Sequence, residues 1–209
     1  HKKNLIFTEK IRSHPGNGEL KIIHLDYKNP VICGKLDKSN SLSQLKGLKK
    51  SIALCLTNKF DALITLPIHK KILTTEKSKF TGHTEYIADA CKAKGNEVML
   101  LASNQLNVAL ATTHIALKNV PGQITKKKLC HTINTLHDEL KSKFNISQPK
   151  ITVTGLNPHS GEDGEFGDEE IRIIKPAVDE MKGLGISVNG PISADTAFTP
   201  KLISKTDCF

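Results

Sequence analysis

Three histidines of this sequence, His83, His114 and His159, stand at predicted strand ends. Neutral imidazole is a common ligand of divalent metals such as zinc and cobalt, and ligands from separate loops can converge at one edge of an α/β sheet. A catalytic divalent ion typically has three protein ligands and one open position, so two histidines alone do not define a site. From the residues alone, each histidine also fits an ordinary turn or surface position.

His159 lies in a glycine-rich loop, Gly155 to Gly167, which follows the β-branched run Ile151 to Val153. Glycine lets a backbone approach a ligand closely, and ligands of α/β proteins bind at loops that follow strands. Pro176 falls inside the helical pattern after this loop and predicts a kink or two short helices. The inward face of that helix is predicted to comprise Ile171, Ile174, Val178 and Met181.

The other two histidines have their own surroundings. His83 opens a helix for which Thr84 is the predicted N-cap residue, and free N–H groups at a helix start attract phosphate or carboxylate. His114 follows a strand predicted over 108–111. An ordinary capped helix and an ordinary turn histidine would produce the same two patterns.

Sequence patterns in the rest of the chain predict an α/β protein with a largely parallel sheet. Strand-like runs occupy 20–25, 61–66, 97–102 and 186–188, and apolar residues recur at helical spacing over 41–58 and 125–144. Helix followed by buried strand is the βαβ rhythm of such folds. His131 and His137 are six residues apart on the second helix, so they do not share a face and cannot form an i, i+4 metal pair.

Composition is that of a globular protein. Of the 209 residues, 38% are hydrophobic, and no apolar run approaches the roughly 20 residues that cross a bilayer, so we expect a cytoplasmic protein with no membrane partner. Five scattered cysteines without a C-x-x-C pair favour reduced, mostly packed thiols. The net charge of +9 suits phosphorylated molecules or nucleic acid, but 4% aromatic residues and no tryptophan argue against nucleic acid.

Taken one at a time, the motifs define only an α/β protein with a candidate metal or phosphate site. The sequence contains no G-x-G-x-x-G fingerprint, no P-loop, no G-x-S-x-G and no H-E-x-x-H. Five segments of the sequence are more specific when they are considered together. They are Thr65 to Lys70, Phe80 to Tyr86, Ala111 to Leu117, Gly155 to Glu170 and Asn189 to Thr196.

In this order, the five segments resemble the 4-hydroxythreonine-4-phosphate dehydrogenase family of vitamin B6 biosynthesis, over about residues 34–209. The resemblance implies a two-part α/β/α subunit like isocitrate and isopropylmalate dehydrogenases, with 1–82 in one subdomain and 83–209 in the other. It further implies a homodimer with its active site at the subunit interface. NAD or NADP would bind without a Rossmann fingerprint, together with a divalent metal (zinc, magnesium or cobalt).

The resemblance also assigns roles to residues. His83 and Thr84 match the substrate-binding pair of the family, and His114 and His159 match two of its three metal-binding histidines. The third histidine belongs to a Tyr-His-Asp-Gln-Gly motif that is expected shortly after Phe209, and the nicotinamide site is expected beyond the same residue. No catalytic residue is assigned.

Two more residues of the shared motifs, Lys70 and Asp195, are compatible with proton transfer, with orientation of a ligand or with a structural ion pair.

The implied reaction oxidises 4-phosphohydroxy-L-threonine and decarboxylates the product to 3-amino-2-oxopropyl phosphate. The alternatives are a paralogue that oxidises another four-carbon hydroxy acid and an inactive or nucleic-acid-binding derivative. Because the chain starts at His1 and a new apolar segment begins near Phe209, we expect both ends to be cut from a longer polypeptide.

Overall fold

Helices and strands follow one another along the chain, as expected for the α/β class. The computed structural model describes residues 5–7, 20–74, 80 and 82–209. The chain divides into two compact units, 1–95 and 96–209. The subdomain boundary after residue 82 that the family resemblance implies stays a prediction.

The described part of the first unit contains two short strands and three helices. They are β1 (Leu5–Phe7), β2 (Leu20–Ile22), α1 (Ser41–Leu56), α2 (Lys70–Leu73) and α3 (His83–Ala90). β1 and β2 pair in parallel. The strand predicted over 20–25 is confirmed for its first three residues, and the helix predicted over 41–58 is confirmed as α1.

A small apolar core holds the helices of the first unit together. Leu48 and Ile52 on the inward face of α1 are buried with Leu73 and Phe80. The strand predicted over 61–66 is wrong, because this segment forms neither strand nor helix and leaves Ile64 91% exposed. An apolar run becomes a buried strand only where neighbouring strands offer backbone partners, and no strand of the described residues pairs with it.

The second unit carries the larger core and nine α-helices and β-strands. They are β3 (Met99–Ala102), β4 (Asn107–Leu110), α4 (Val120–Gln123), α5 (Lys126–Phe144), β5 (Ile151–Thr154), α6 (Lys175–Gly183), β6 (Val188–Ile192), α7 (Ala194–Ala197) and α8 (Pro200–Ile203). The core comprises the inward faces of α5 and α6 with residues of β5 and β6. This arrangement buries one face of each helix against strands.

The end of the chain links two strand pairs of the second unit into one sheet. β3 and β4 are antiparallel, and β5 and β6 are parallel. The Phe209 N–H donates to the Asn107 carbonyl (2.9 Å), and the Phe209 carbonyl accepts from Ala109 (2.7 Å). On the other side, the Cys208 carbonyl accepts from the Thr152 N–H (3.0 Å). The sheet order is therefore β3, β4, the segment 208–209, β5 and β6. Only the β3–β4 pair is antiparallel, which agrees with the largely parallel sheet that the sequence predicts.

The helix predicted over 125–144 is confirmed as α5. Thr125 caps its start by accepting the Lys128 N–H at 3.3 Å, which satisfies one of the free donors of the first turn. Its inward residues Leu129, Ile133, Leu136 and Leu140 are all buried. Phe144, the last of the predicted inward set, is 45% exposed because it lies in the final turn.

The helical segment around Pro176 consists of two pieces, as predicted. A π-helical turn, Glu170–Ile174, directly precedes α6, and Pro176 is the second residue of α6. Of the predicted inward face, Ile174, Val178 and Met181 are buried, but Ile171 is 53% exposed. The wider π-helical turn shifts the register, so residue 171 falls outside the inward stripe.

The five cysteines are free thiols, and all except Cys33 are at least partly buried. Burial raises the pKa of Cys208 to about 11, so this thiol stays protonated at neutral pH. Among the described residues, no helix is both long enough and apolar enough to span a membrane.

Candidate functional site

His159 stands in a backbone conformation that L-amino acids rarely adopt. Residues 159–163 all have left-handed dihedrals, with φ of 50° at His159, 57° at Ser160, 42° at Glu162 and 56° at Asp163. Each non-glycine residue in this region costs about 1–2 kcal/mol, and runs of them are uncommon. Such strain persists only where surrounding contacts fix it, and it concentrates at functional sites.

The carboxylate of Glu170 fixes the start of this strained loop. Glu170 is 3% exposed, and its Oε1 accepts the N–H groups of Leu156 (2.6 Å) and Asn157 (2.7 Å). The Asn157 side-chain amide donates to Oε2 of Glu170 (2.9 Å) and to Oε2 of Glu169 (2.7 Å). The buried carboxylate therefore has several hydrogen bonds, and it satisfies the backbone N–H groups at the start of the loop.

Close packing at two glycines fixes the rest of the loop. A Cβ at Gly161 would lie 2.5 Å from the Gly167 carbonyl oxygen, and a Cβ at Gly167 would lie 2.5 Å from the Asn157 side-chain nitrogen. Both glycines have positive φ, +86° and +136°. The loop is glycine-rich because two of its stretches press directly against each other.

The imidazole of His159 is held between two carboxylates. Its Nδ1 is hydrogen-bonded to Glu162 Oε1, and its Nε2 lies 3.7 Å from Asp195 Oδ2. The hydrogen bond to Glu162, followed by the negative charges of Glu162 and Asp195, raises the pKa of His159 above its ordinary value. The structure thus brings together two sequence candidates, His159 from the loop after β5 and Asp195 from the segment after β6.

Asp195 is itself oriented by a neighbour. Ser193 Oγ donates a hydrogen bond to Asp195 Oδ1, and this bond is the main cause that lowers the pKa of Asp195. The nearby His159 lowers it further, so the carboxylate is the charged form at neutral pH. An oriented carboxylate beside an imidazole is a common arrangement around metal-binding and proton-transferring histidines.

His114 lies on the loop that follows β4, and it is exposed with a left-handed φ of 54°. β4 and β5 both run parallel to the segment 208–209 between them, so their carboxyl ends lie at the same edge of the sheet. The loops that carry His114 and His159 leave the sheet at that edge.

The side chains suit a divalent metal in chemistry but do not form a complete ligand set. In the described part of the chain, no group of three or more His, Cys, Asp or Glu residues is placed to hold a metal ion. The imidazole of His159 is a suitable metal ligand, and the hydroxyl oxygen of Ser160 beside it is buried without a hydrogen-bond partner. Imidazole and carboxylate groups on loops at one sheet edge are donors that zinc, cobalt or magnesium accept.

His83 and Thr84 lie in the first unit, at the start of α3. The cap prediction for Thr84 is wrong: helix α3 begins at His83, the cap position falls on Gly82, and Thr84 lies within the first turn. The His83 ring packs edge-on against Phe80, with ring centroids 5.9 Å apart. The side chain of Lys70 lies beside this helix start, with Nζ 3.4 Å from where a Cβ at Gly82 would stand.

Sequence reasoning missed the role of Glu170. It appeared only as the last residue of the segment Gly155 to Glu170, whereas the structure shows a buried anion that fixes the loop of His159. A signal was available, because an acidic residue that opens a helix directly after a glycine-rich loop can bond to backbone N–H groups of that loop. His137 is half-buried, and its Nδ1 lacks a hydrogen bond.

Changing Glu170→Gln is expected to lower the free energy of unfolding at pH 7 by about 1.5 to 3 kcal/mol, since charge-assisted hydrogen bonds are lost. Burial acts to raise the pKa of Glu170, but hydrogen bonds from Asn157 and Leu156 outweigh it and lower the pKa. The stabilisation is therefore present above the ordinary carboxyl pKa and is lost as the pH falls through the folded-state pKa.

Denaturant unfolding at several pH values measures this difference between the wild type and Glu170→Gln. It should shrink as the pH falls below about 4. Glu165→Gln, an exposed change in the same loop, is the matched control and should stay within about 0.5 kcal/mol of the wild type. A difference that does not change with pH would show that the charge of Glu170 is not what stabilises the loop.

The α/β fold is that of a known group of dehydrogenases. The solved structure of 4-hydroxythreonine-4-phosphate dehydrogenase from Klebsiella pneumoniae has a TM-score of 0.86 to this chain at 28% identity, covering 98% of this chain and 63% of the other. The sequence also matches the family described as pyridoxal phosphate biosynthetic protein PdxA over residues 2–209. The chain belongs to the PdxA family.

Two curated relatives are named 4-hydroxythreonine-4-phosphate dehydrogenase. The protein of Thioalkalivibrio sulfidiphilus is 46% identical over 178 residues, which cover 85% of this chain and 54% of the relative. That of Chromobacterium violaceum is 40% identical over 205 residues, which cover 98% of this chain and 62% of the relative. The chain thus spans less than two thirds of the length of these relatives.

Proposed function

We propose that this chain supplies part of an NAD(P)-dependent 4-hydroxythreonine-4-phosphate dehydrogenase of pyridoxine 5'-phosphate biosynthesis. Membership of the PdxA family and the names of the relatives support the substrate class. The single observation that carries the proposal is the left-handed loop in which His159 stands between Glu162 and Asp195. A strained loop with an oriented imidazole is costly and serves little purpose in a merely structural turn.

The proposed reaction has two parts. The C3 hydroxyl of 4-phosphohydroxy-L-threonine is oxidised to a ketone, with hydride transferred to NAD+ or NADP+ and one proton released. The resulting 3-oxo acid then loses CO2 to give 3-amino-2-oxopropyl phosphate. The family resemblance supports a two-part α/β/α subunit and a cytoplasmic homodimer with its active site at the subunit interface, and both belong to the proposal.

Within this proposal, His114 and His159 hold a divalent ion, either zinc, magnesium or cobalt. When bound, the ion supplies Lewis acidity that polarises the reacting oxygen of the substrate. Glu162 and Asp195 orient the imidazole of His159, and the glycines of the loop let its backbone lie close to the substrate. The lowered pKa keeps Asp195 ionised, which suits a carboxylate that orients the imidazole of His159.

The start of α3 is proposed as a binding site for an anionic group of the substrate. The first backbone N–H groups of a helix carry partial positive charge and are free to donate to an anion. His83 and Thr84 lie in this first turn, and the Lys70 ammonium lies beside Gly82 at the same helix start. The Glu85 carboxylate lies there too, with Oε2 2.7 Å from where a Cβ at Gly82 would stand, so a bound anion would take its place beside Lys70. Imidazole, hydroxyl and ammonium groups together suit a phosphate or a carboxylate.

The function is tested by adding 4-phosphohydroxy-L-threonine, NAD+ or NADP+ and a divalent metal to the purified full-length protein that contains this sequence. We expect NAD(P)H to form, and His83→Ala to lower kcat/KM by roughly ten- to a hundredfold, because one charge-assisted contact of about 1.5–3 kcal/mol is lost. Bound metal should be unchanged in this variant. His131→Ala, an exposed change on α5, is the control and should leave kcat/KM unchanged.

Two results would contradict the assignment. Formation of NAD(P)H only from an unphosphorylated four-carbon hydroxy acid would identify a paralogue with another substrate. Loss of metal in His83→Ala, in proportion to the loss of activity, would make His83 a ligand and not a substrate-binding residue.

A further inference from the structure

The excess positive charge of this chain lies entirely in its first unit. Residues 1–95 contain 18 lysine and arginine residues and 8 acidic residues, which gives a net charge of +10. Residues 96–209 contain 12 and 13, which gives a net charge of −1. His83, Thr84 and Lys70, the residues proposed to hold an anionic group of the substrate, belong to the basic unit.

Three exposed lysines of α1 contribute charge that no neighbouring carboxylate cancels. They are Lys46, Lys49 and Lys50, called the α1 lysines below, and α1 itself contains no acidic residue. Among the described residues, no carboxylate forms a salt bridge with any of the three. In the second unit, by contrast, salt bridges to carboxylates hold Lys126, Lys143, Arg172 and Lys175. Because an adjacent carboxylate cancels most of a cation's field, the α1 lysines act over a longer distance than these paired residues do.

The α1 lysines lie within electrostatic range of the start of α3. Leu48 and Ile52 of α1 are buried in one core with Phe80, and the Phe80 ring contacts that of His83, with centroids 5.9 Å apart. A helix with its side chains is about 10–12 Å across, so the α1 lysines lie roughly 15–20 Å from His83. The Debye length is about 30 Å at 0.01 M salt and about 3 Å at 1 M. Dilute salt therefore leaves this attraction largely intact, and concentrated salt abolishes it.

We propose that the α1 lysines attract the phosphorylated substrate to the start of α3 through their electrostatic field, without contacting it. Since this inference rests on the proposed function, the substrate is 4-phosphohydroxy-L-threonine. Its phosphate carries about −1.5 to −2 charges at pH 7, and its amino and carboxyl groups cancel each other. Three unit charges at this distance from such an anion tighten its binding about three- to tenfold in roughly 0.01 M salt.

The test measures the Kd of 4-phosphohydroxy-L-threonine by calorimetry at several salt concentrations. It uses the full-length protein that contains this sequence, loaded with cobalt and without NAD(P), so that the substrate binds but is not oxidised. The variant combines Lys46→Gln, Lys49→Gln and Lys50→Gln, which remove three charges. The matched control combines Lys46→Arg, Lys49→Arg and Lys50→Arg, which keep them. Lysine, glutamine and arginine favour a helix to a similar degree, so α1 should stay folded in both proteins.

We expect the glutamine variant to bind the substrate about three- to tenfold more weakly than the arginine variant in roughly 0.01 M salt, and equally well in about 1 M salt. The arginine variant should match the wild type at both concentrations. Equal affinities of the two variants in dilute salt would overturn the proposal. A difference that persisted in concentrated salt would overturn it too, because a structural change would then be the cause.

Failure of the proposed function would appear in a different measurement. NAD+ or NADP+ is added to the wild type under the same conditions, and formation of NAD(P)H is followed. Substrate binding with the expected salt dependence, but without any NAD(P)H, would contradict the proposed function and still support attraction of the substrate by the α1 lysines.

Discussion

His159→Ala is expected to reduce formation of NAD(P)H from 4-phosphohydroxy-L-threonine at least about a hundredfold. Removing the imidazole removes a ligand of the proposed metal. The metal's polarisation of the substrate oxygen is worth several kcal/mol of activation free energy. Each 1.36 kcal/mol changes the rate about tenfold. The loop should stay folded, because Glu170 and the packing of Gly161 against Gly167 fix it without the His159 side chain. Initial rates at saturating cofactor measure the effect.

The matched control for this variant is His131→Ala, which removes an exposed imidazole from the same unit. Its rate should equal that of the wild type. If His159→Ala kept more than about a tenth of the wild-type rate, the left-handed loop would serve some purpose other than presenting this imidazole.

Gly190→Ala is expected to lower the free energy of unfolding by about 3 kcal/mol or more. Gly190 lies within β6 with φ of +128°, a conformation that is essentially restricted to glycine. A Cβ there would lie 2.3 Å from the backbone oxygen of Val153 in β5. Because backbone atoms cannot move aside as a flexible side chain can, the β5–β6 pair would have to separate. Denaturant unfolding of the purified variant measures the loss.

Gly183→Ala serves as the control for the same chemical change. Gly183 ends α6, has no positive φ and has open space where the Cβ would lie. Alanine there should leave stability unchanged or raise it by up to about 1 kcal/mol, since alanine favours helix. Equal effects at the two positions would contradict the close contact between β6 and β5.

Regular elements with long, periodic patterns could be predicted from the sequence. The helix α5 was found because its apolar residues repeat at helical spacing, and the two-piece helix around Pro176 was found because proline cannot lie in a helix interior. The positions of His114 and His159 after β4 and β5 followed from the same patterns. These predictions succeed because helical spacing and the effect of proline depend only on residues that are close together in the sequence.

Features that depend on distant partners could not be predicted. The segment 61–66 has the composition of a strand, but a strand also needs pairing partners, which no local pattern supplies. The left-handed conformation of His159 and Glu162 is imposed by contacts with Glu170 and between glycines, because neither residue type favours it. The same holds for the distance of 3.7 Å between His159 and Asp195, which joins two loops far apart in sequence.

The central claim, that His114 and His159 bind one divalent ion in the full-length protein that contains this sequence, is tested most directly by metal stoichiometry. The wild type, His114→Ala, His159→Ala and His83→Ala would be stripped with a chelator, dialysed against cobalt and measured for bound cobalt per chain. The account predicts one ion in the wild type and in His83→Ala, and binding weakened at least about a hundredfold in the other two variants. Full cobalt binding in both His114→Ala and His159→Ala, or loss of cobalt in His83→Ala alone, would contradict it.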